Sequence, residues 1–139
     1  MALVMQLAEL EVFLAREFPQ VAADFALERV EEATLVMRLK VADRHLRPGG
    51  TVSGPSMFAL ADVAIYLAIL SRIGPVALAV TTNCSIDFMR KPEAGRDLLA
   101  EARLLKLGRT LAVGDVLLRS EGAEHVVARA GLTYAIPPR

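Results

Sequence analysis

The chain has 139 residues, 54% of them hydrophobic and 23% charged, so it can bury a core and is sized for a single domain spanning 1–139. Sixteen Lys and Arg balance sixteen Asp and Glu, and this lack of a basic surplus argues against a nucleic-acid partner, whose phosphates call for a basic footprint. One cysteine, Cys84, excludes an intramolecular disulfide and a Cys-rich zinc site, and two well-separated histidines do not suggest a metal centre. No metal and no cofactor is expected.

The N-terminus lacks a basic region, and Glu9 and Glu11 interrupt its apolar residues, so it does not read as a signal peptide. The longest apolar run, Met57 to Leu70, is 14 residues and contains Asp62, short of the roughly 20 residues that span a bilayer. No membrane association and a cytoplasmic location are the default expectations.

Leu3, Leu7, Leu10 and Leu14 recur at helical spacing with Gln6, Glu9 and Glu11 between them, which predicts an amphipathic helix within 1–17. Phe25 to Val30 is a weaker strand candidate. Residues 33–42 alternate, with Ala33, Leu35, Met37, Leu39 and Val41 on one face, and predict a half-buried strand that Phe25–Val30 can pair with. Asp43-Arg-His-Leu-Arg-Pro-Gly-Gly is a loop by composition.

Ser53-Gly54-Pro55-Ser56 opens the next element, a helix over about 53–73, with Ser53 or Gly54 as its cap and Pro55 in a turn that needs no amide proton there. From Met57 to Leu70 only Asp62 is charged, so the helix is apolar all round and must be covered on most sides. Gly74-Pro75 ends it. The period then falls to two. Val76–Met89, Asp97–Lys106, Leu111–Arg119 and a last strand with Val126, Ala128, Ala130, Leu132, Tyr134 and Ile136 on one face predict an antiparallel meander. The expected class is α+β: a curved antiparallel sheet of five or six strands wrapped around a buried central helix, with an extra N-terminal helix.

Two positions stand out chemically. A carboxylate sunk in an apolar helix costs several kcal/mol unless it is paired or protonated, which points to Asp62 working at a cleft. The free amides of a helix start form an electropositive site, which points to Gly54 facing a carbonyl or oxyanion. Arg90-Lys91, Lys106 and Arg109 flank turns and suit phosphate groups. His45 reads as a solvated loop histidine, His125 as a surface residue and Cys84 as a buried apolar filler.

The stretch Ser53-Gly-Pro-Ser-Met-Phe-Ala-Leu-Ala-Asp62, with Thr81 to Met89, Pro92 and Lys106-Leu-Gly-Arg109 in order behind it, resembles the hotdog-fold acyl-CoA thioesterases of the phenylacetic-acid (PaaI-like) type over roughly residues 33–136. That family carries His-Gly-Gly-x-x-x-x-Leu-x-Asp at the start of its central helix. The resemblance implies an acyl-CoA substrate, with Asp62 as the carboxylate that acts on water or on the thioester. It implies that the Gly54 amide polarises the carbonyl, that Thr81 holds the attacking water, and that Arg109 and Lys106 lie near the CoA phosphates. It also implies a homodimer or homotetramer with sites between subunits, the carboxylate from one chain and the glycine amide from another.

Three positions depart from the family pattern. Its histidine is Ser53 here, the asparagine six residues earlier is Arg47, and the second glycine is Pro55. The resemblance implies that Ser53 and Arg47 stand at the positions that orient the substrate carbonyl or leaving group in that family. A non-catalytic acyl-CoA or hydrophobic-ligand binding protein is therefore the alternative reading, and a hydratase on the same fold a weaker third.

Overall fold

The computed structural model describes residues 2–138. Helix α1 runs from Leu7 to Glu17 and a single turn, α2, from Pro19 to Ala22. Strands β1 (Phe25–Val30) and β2 (Leu35–Leu39) follow, then helix α3 (Gly54–Ile73) and strands β3 (Val80–Phe88), β4 (Leu98–Leu107), β5 (Leu111–Ser120) and β6 (Val126–Ala135). All six strands form one curved antiparallel sheet in the order β1-β2-β4-β5-β6-β3.

The sheet wraps α3. Twelve of the helix's twenty residues are buried, and they meet Leu35, Met37 and Leu39 of β2, Leu98, Ala100 and Ala102 of β4, Val116 and Leu118 of β5, and Ala128 to Tyr134 of β6. Each fully buried Leu or Ile of this set stabilises by about 1.5–3 kcal/mol relative to exposure. The helix is long and apolar enough by composition to cross a membrane, but 67% of its apolar window is buried inside the fold, as befits a core helix. It starts with Ser53 as N-cap and ends at Gly74, whose φ of 95° suits glycine.

Four expectations change. The strands are not a simple meander: β4, β5 and β6 follow one another, but β3 skips to the far side of β6 and becomes an edge. The alternation from Val76 overstated that strand, because residues 76–79 close a turn (Val76 N–H to Gly74 O, Ala79 N–H to Val76 O) before β3 begins at Val80. The N-terminal helix starts only at Leu7, since the amides of Val4 and Met5 donate to the Ser71 carbonyl instead of continuing a helix. Cys84 is half-buried rather than a core filler, because it lies on the edge strand.

Candidate functional site

Asp62 lies two turns into α3, on the side of the helix that meets β3 and β6. Thr81 on β3 donates its hydroxyl to Asp62 Oδ1 at 2.5 Å, and Tyr134 on β6 donates to the same oxygen at 2.8 Å. Thr81 and Tyr134 are partners across β3 and β6, so strand register brings both hydroxyls to one carboxylate oxygen. Oδ2 accepts no hydrogen bond among the described residues.

Around this carboxylate is a cavity of about 300 Å³ lined by Glu17, Phe18, Val63, Tyr66, Ala77, Ala79 and Val80 together with Asp62, Thr81 and Tyr134. Tyr66 stacks on Tyr134 with ring centroids 6.2 Å apart and donates its hydroxyl to the Ala77 carbonyl at 2.8 Å. Burial, and then the charge of Asp62, push the Tyr134 phenol above the usual tyrosine range. Burial and the Asp62 charge likewise raise the Cys84 thiol.

Gly54 is the first residue of α3, eight positions before Asp62, and so about 12 Å away along the helix axis. The Ser56 amide donates to Ser53 Oγ at 3.3 Å, the Met57 amide goes to the Ser53 carbonyl, and Pro55 has no amide proton. The Gly54 N–H is thus left without an acceptor among the described residues, at the positive end of a buried helix dipole. Ser53 Oγ also donates to Ser56 Oγ at 3.1 Å, so this hydroxyl is engaged in capping.

The two positions open into different cavities of one chain. Gly54 lines a second cavity of about 520 Å³ with Arg47, Met57, Phe88, Met89, Arg90 and Lys91. The ring of Phe88 covers the glycine so closely that a Cβ there would meet Phe88 Cζ at 3.3 Å. Of the residues singled out from sequence, the fold therefore groups Asp62 with Thr81 in one place and Gly54 with Arg47, Arg90 and Lys91 in another. Lys106 and Arg109 lie at the β4–β5 turn, which the Gly108 amide closes onto Leu111 O, and line neither cavity.

His45 is buried, against the expectation of a solvated loop residue. Its Nδ1 accepts the Ala42 amide at 2.9 Å and its Nε2 lies 3.3 Å from Asp24 Oδ2. Burial pushes the Asp24 carboxyl up, but the hydrogen bond from Arg44 and the neighbouring His45 imidazole outweigh it and hold the group below the usual aspartate range. This is a brace for the loop leading to α3, away from both cavities. Among the described residues no three His, Cys, Asp or Glu side chains gather as a metal site. Sequence reading missed Tyr134, Tyr66, Phe18 and Glu17. The available signal was that a tyrosine on an otherwise apolar strand face needs a partner for its hydroxyl.

The family model of the thioesterase superfamily matches residues 49–127, a segment that holds α3, Gly54, Asp62 and Thr81. The chain belongs to the thioesterase superfamily. By class it is a thioester hydrolase. Its fold is the hotdog architecture. It superposes with a TM-score of 0.93 and 61% identity on the crystal structure of a protein from Silicibacter sp. TM1040 whose thioesterase assignment is provisional, covering 99% of this chain and 96% of that one. The acyl-coenzyme A thioesterase PaaI of Escherichia coli K12 is 28% identical over 107 residues, 77% of this chain and 74% of that one. A Streptococcus mutans UA159 protein bound to acetyl-CoA shares 27% identity at a TM-score of 0.71, covering 83% of this chain and 90% of that one.

Proposed function

We propose that the chain hydrolyses acyl-CoA thioesters in a composite site made by two copies. The observation that carries the reading is the Asp62 carboxylate, held by two hydroxyls on Oδ1 with Oδ2 unclaimed in a half-apolar cavity. Asp62 Oδ2 takes a proton from water as the water oxygen attacks the thioester carbonyl carbon. The resulting oxyanion is received by the Gly54 amide. Its collapse breaks the C–S bond, the CoA sulfur leaves and takes the proton, and a carboxylic acid remains. One preorganised amide donor of this kind supplies about 2.7–4 kcal/mol to the transition state.

A second copy supplies the missing half. The nine-residue edge strand β3 carries Thr81 near its start and Phe88, next to Gly54, at its end. Its free edge offers unpaired backbone groups and is the natural place for another strand. Antiparallel pairing of β3 with its own copy puts the Thr81 end of one chain beside the Phe88 end of the other. That joins the Asp62 cavity to the partner's Gly54 cavity and brings Arg47, Arg90 and Lys91 to the same end as Lys106 and Arg109, as a cationic seat for the CoA phosphates. Similarity to PaaI and to the acetyl-CoA-bound protein supports the substrate class.

The test is thiol release from short, long and aromatic acyl-CoAs by the wild type and by Asp62→Asn, with the mass measured by light scattering. Turnover that Asp62→Asn abolishes, in a dimer or tetramer, is the expected result. Unchanged turnover in the variant, or a monomeric mass at micromolar concentration, overturns it. The engaged Ser53 hydroxyl favours one other reading, a binder without catalysis. Tight acyl-CoA binding in calorimetry with no thiol release identifies that case.

A further inference from the structure

The hydroxyl of Tyr134 has no step in the proposed reaction, yet it is the most enclosed polar group in the Asp62 cavity. The residue is only 3% exposed, and its ring is fixed by the stack on Tyr66. The hydroxyl has one proton and two acceptors in reach, Asp62 Oδ1 at 2.8 Å and the Asp62 carbonyl at 3.0 Å. Inside a helix that carbonyl already accepts an amide from the next turn. The charged and nearer Oδ1 is the stronger acceptor.

We propose that Tyr134 is a positioning residue: together with Thr81 it saturates Oδ1 of Asp62, locks the carboxylate's orientation, and leaves Oδ2 as the one oxygen that takes a proton from water. The inference rests on the reading of Asp62 as the base. A carboxylate with free rotation spends most of its time in unproductive poses, and a misplacement of about 1 Å costs on the order of a hundredfold in rate. Two donors on a single oxygen, one from β3 and one from β6, remove that freedom.

The choice of donors has a chemical consequence. No arginine, lysine or histidine of the described residues lines this cavity. A cation would hold a carboxylate firmly but favour its charged form, whereas the hydroxyls here orient Asp62 without setting a counter-ion against it. Pushed up by burial and by the Asp62 charge, the phenol stays a protonated donor through the neutral pH range. The other titratable groups facing the site are Glu17 at the end of α1, Tyr66 on α3 and Cys84 on β3, and none of them is a cation.

Tyr134→Phe keeps the ring and its stack and removes only the hydroxyl. The expected result is a fall in kcat of about tenfold or more with KM within about twofold, as befits one lost hydrogen bond to a charged group. Thr81→Val, read the same way, gives the same fall in kcat at near-constant KM and carries the test if Tyr134→Phe does not fold. No fall in kcat, or a rise in KM as large as the fall in kcat, overturns the positioning role. Asp62→Asn measured alongside separates the two ideas. If it retains turnover, the base assignment is what failed; if it is inactive while Tyr134→Phe behaves as wild type, only the positioning role falls.

Discussion

Ile65 of α3 lies directly over Gly114 of β5: a Cβ added to the glycine would sit 2.6 Å from Ile65 Cδ1 and 2.8 Å from the Arg103 carbonyl oxygen. The missing side chain lets the helix descend onto the middle of the sheet, and the depth of that seat sets where Asp62, three residues before Ile65, meets Thr81 and Tyr134. Gly114→Ala is expected to overpack this contact and lower stability by about 1–3 kcal/mol. Urea unfolding measures it, and an unshifted midpoint would show that the helix seat gives way freely.

The Gly54 amide is testable by removing its proton. Ser53 is already extended (φ −75°, ψ 155°), the backbone that precedes a proline, and the first helical turn accepts proline. Gly54→Pro is expected to lower kcat by about a hundredfold or more, the cost of one lost oxyanion donor. Gly54→Ala meets the same Phe88 ring but keeps the amide proton, and should lose far less. Equal losses in the two variants would mean that crowding by Phe88, rather than the amide, explains the effect.

Arg90 and Lys91 both line the Gly54 cavity beside Arg47. The double variant Arg90→Ala/Lys91→Ala should raise KM for acyl-CoA several-fold with little change in kcat. Wild-type KM should itself rise with ionic strength, since exposed charges are screened over about 10 Å at 0.1 M salt. A KM that neither the substitution nor salt moves would place the CoA phosphates elsewhere.

Arg38 gathers three carboxylates, with Glu121 at 2.6 Å, Glu28 at 2.9 Å and Asp97 at 3.0 Å. Its hydrogen bond holds the Glu121 carboxyl below the ordinary value of 4.5. A carboxyl depressed in the folded state adds stability above its unfolded pKa and loses it as pH falls through the folded one. Stability should therefore decline as pH drops below about 4.5, and Arg38→Gln should flatten that decline. Melting temperatures from pH 7 to pH 3 decide it, and identical slopes in the two proteins would remove Arg38 from the account.

Much of this protein is local in origin. Ser53 capping, Gly74 at the helix end, a helix apolar all round and period-two strands after it follow from side-chain size, charge and backbone freedom over a few residues, so α3 and four later strands were legible. Asp62 was conspicuous for the same reason, as the lone charge between Met57 and Leu70 of an apolar helix. Tyr134 was not: it counts as one more apolar residue on β6 until Asp62, 72 positions earlier, is placed against it. His45 was misread because Asp24 and the Ala42 amide, which hold it inside, depend on how the loop folds back.

The chain's own chemistry determined that a curved sheet would enclose one helix, and it singled out a carboxylate and a helix-start amide on that helix. Only the tertiary structure decided that these two open into separate cavities, because eight helical residues hold them about 12 Å apart. It also decided that β3 crosses to the far edge beside β6, since hydrophobic alternation fixes which face a strand buries but not which strand it pairs with. That pairing is what sets two hydroxyls on one oxygen of Asp62.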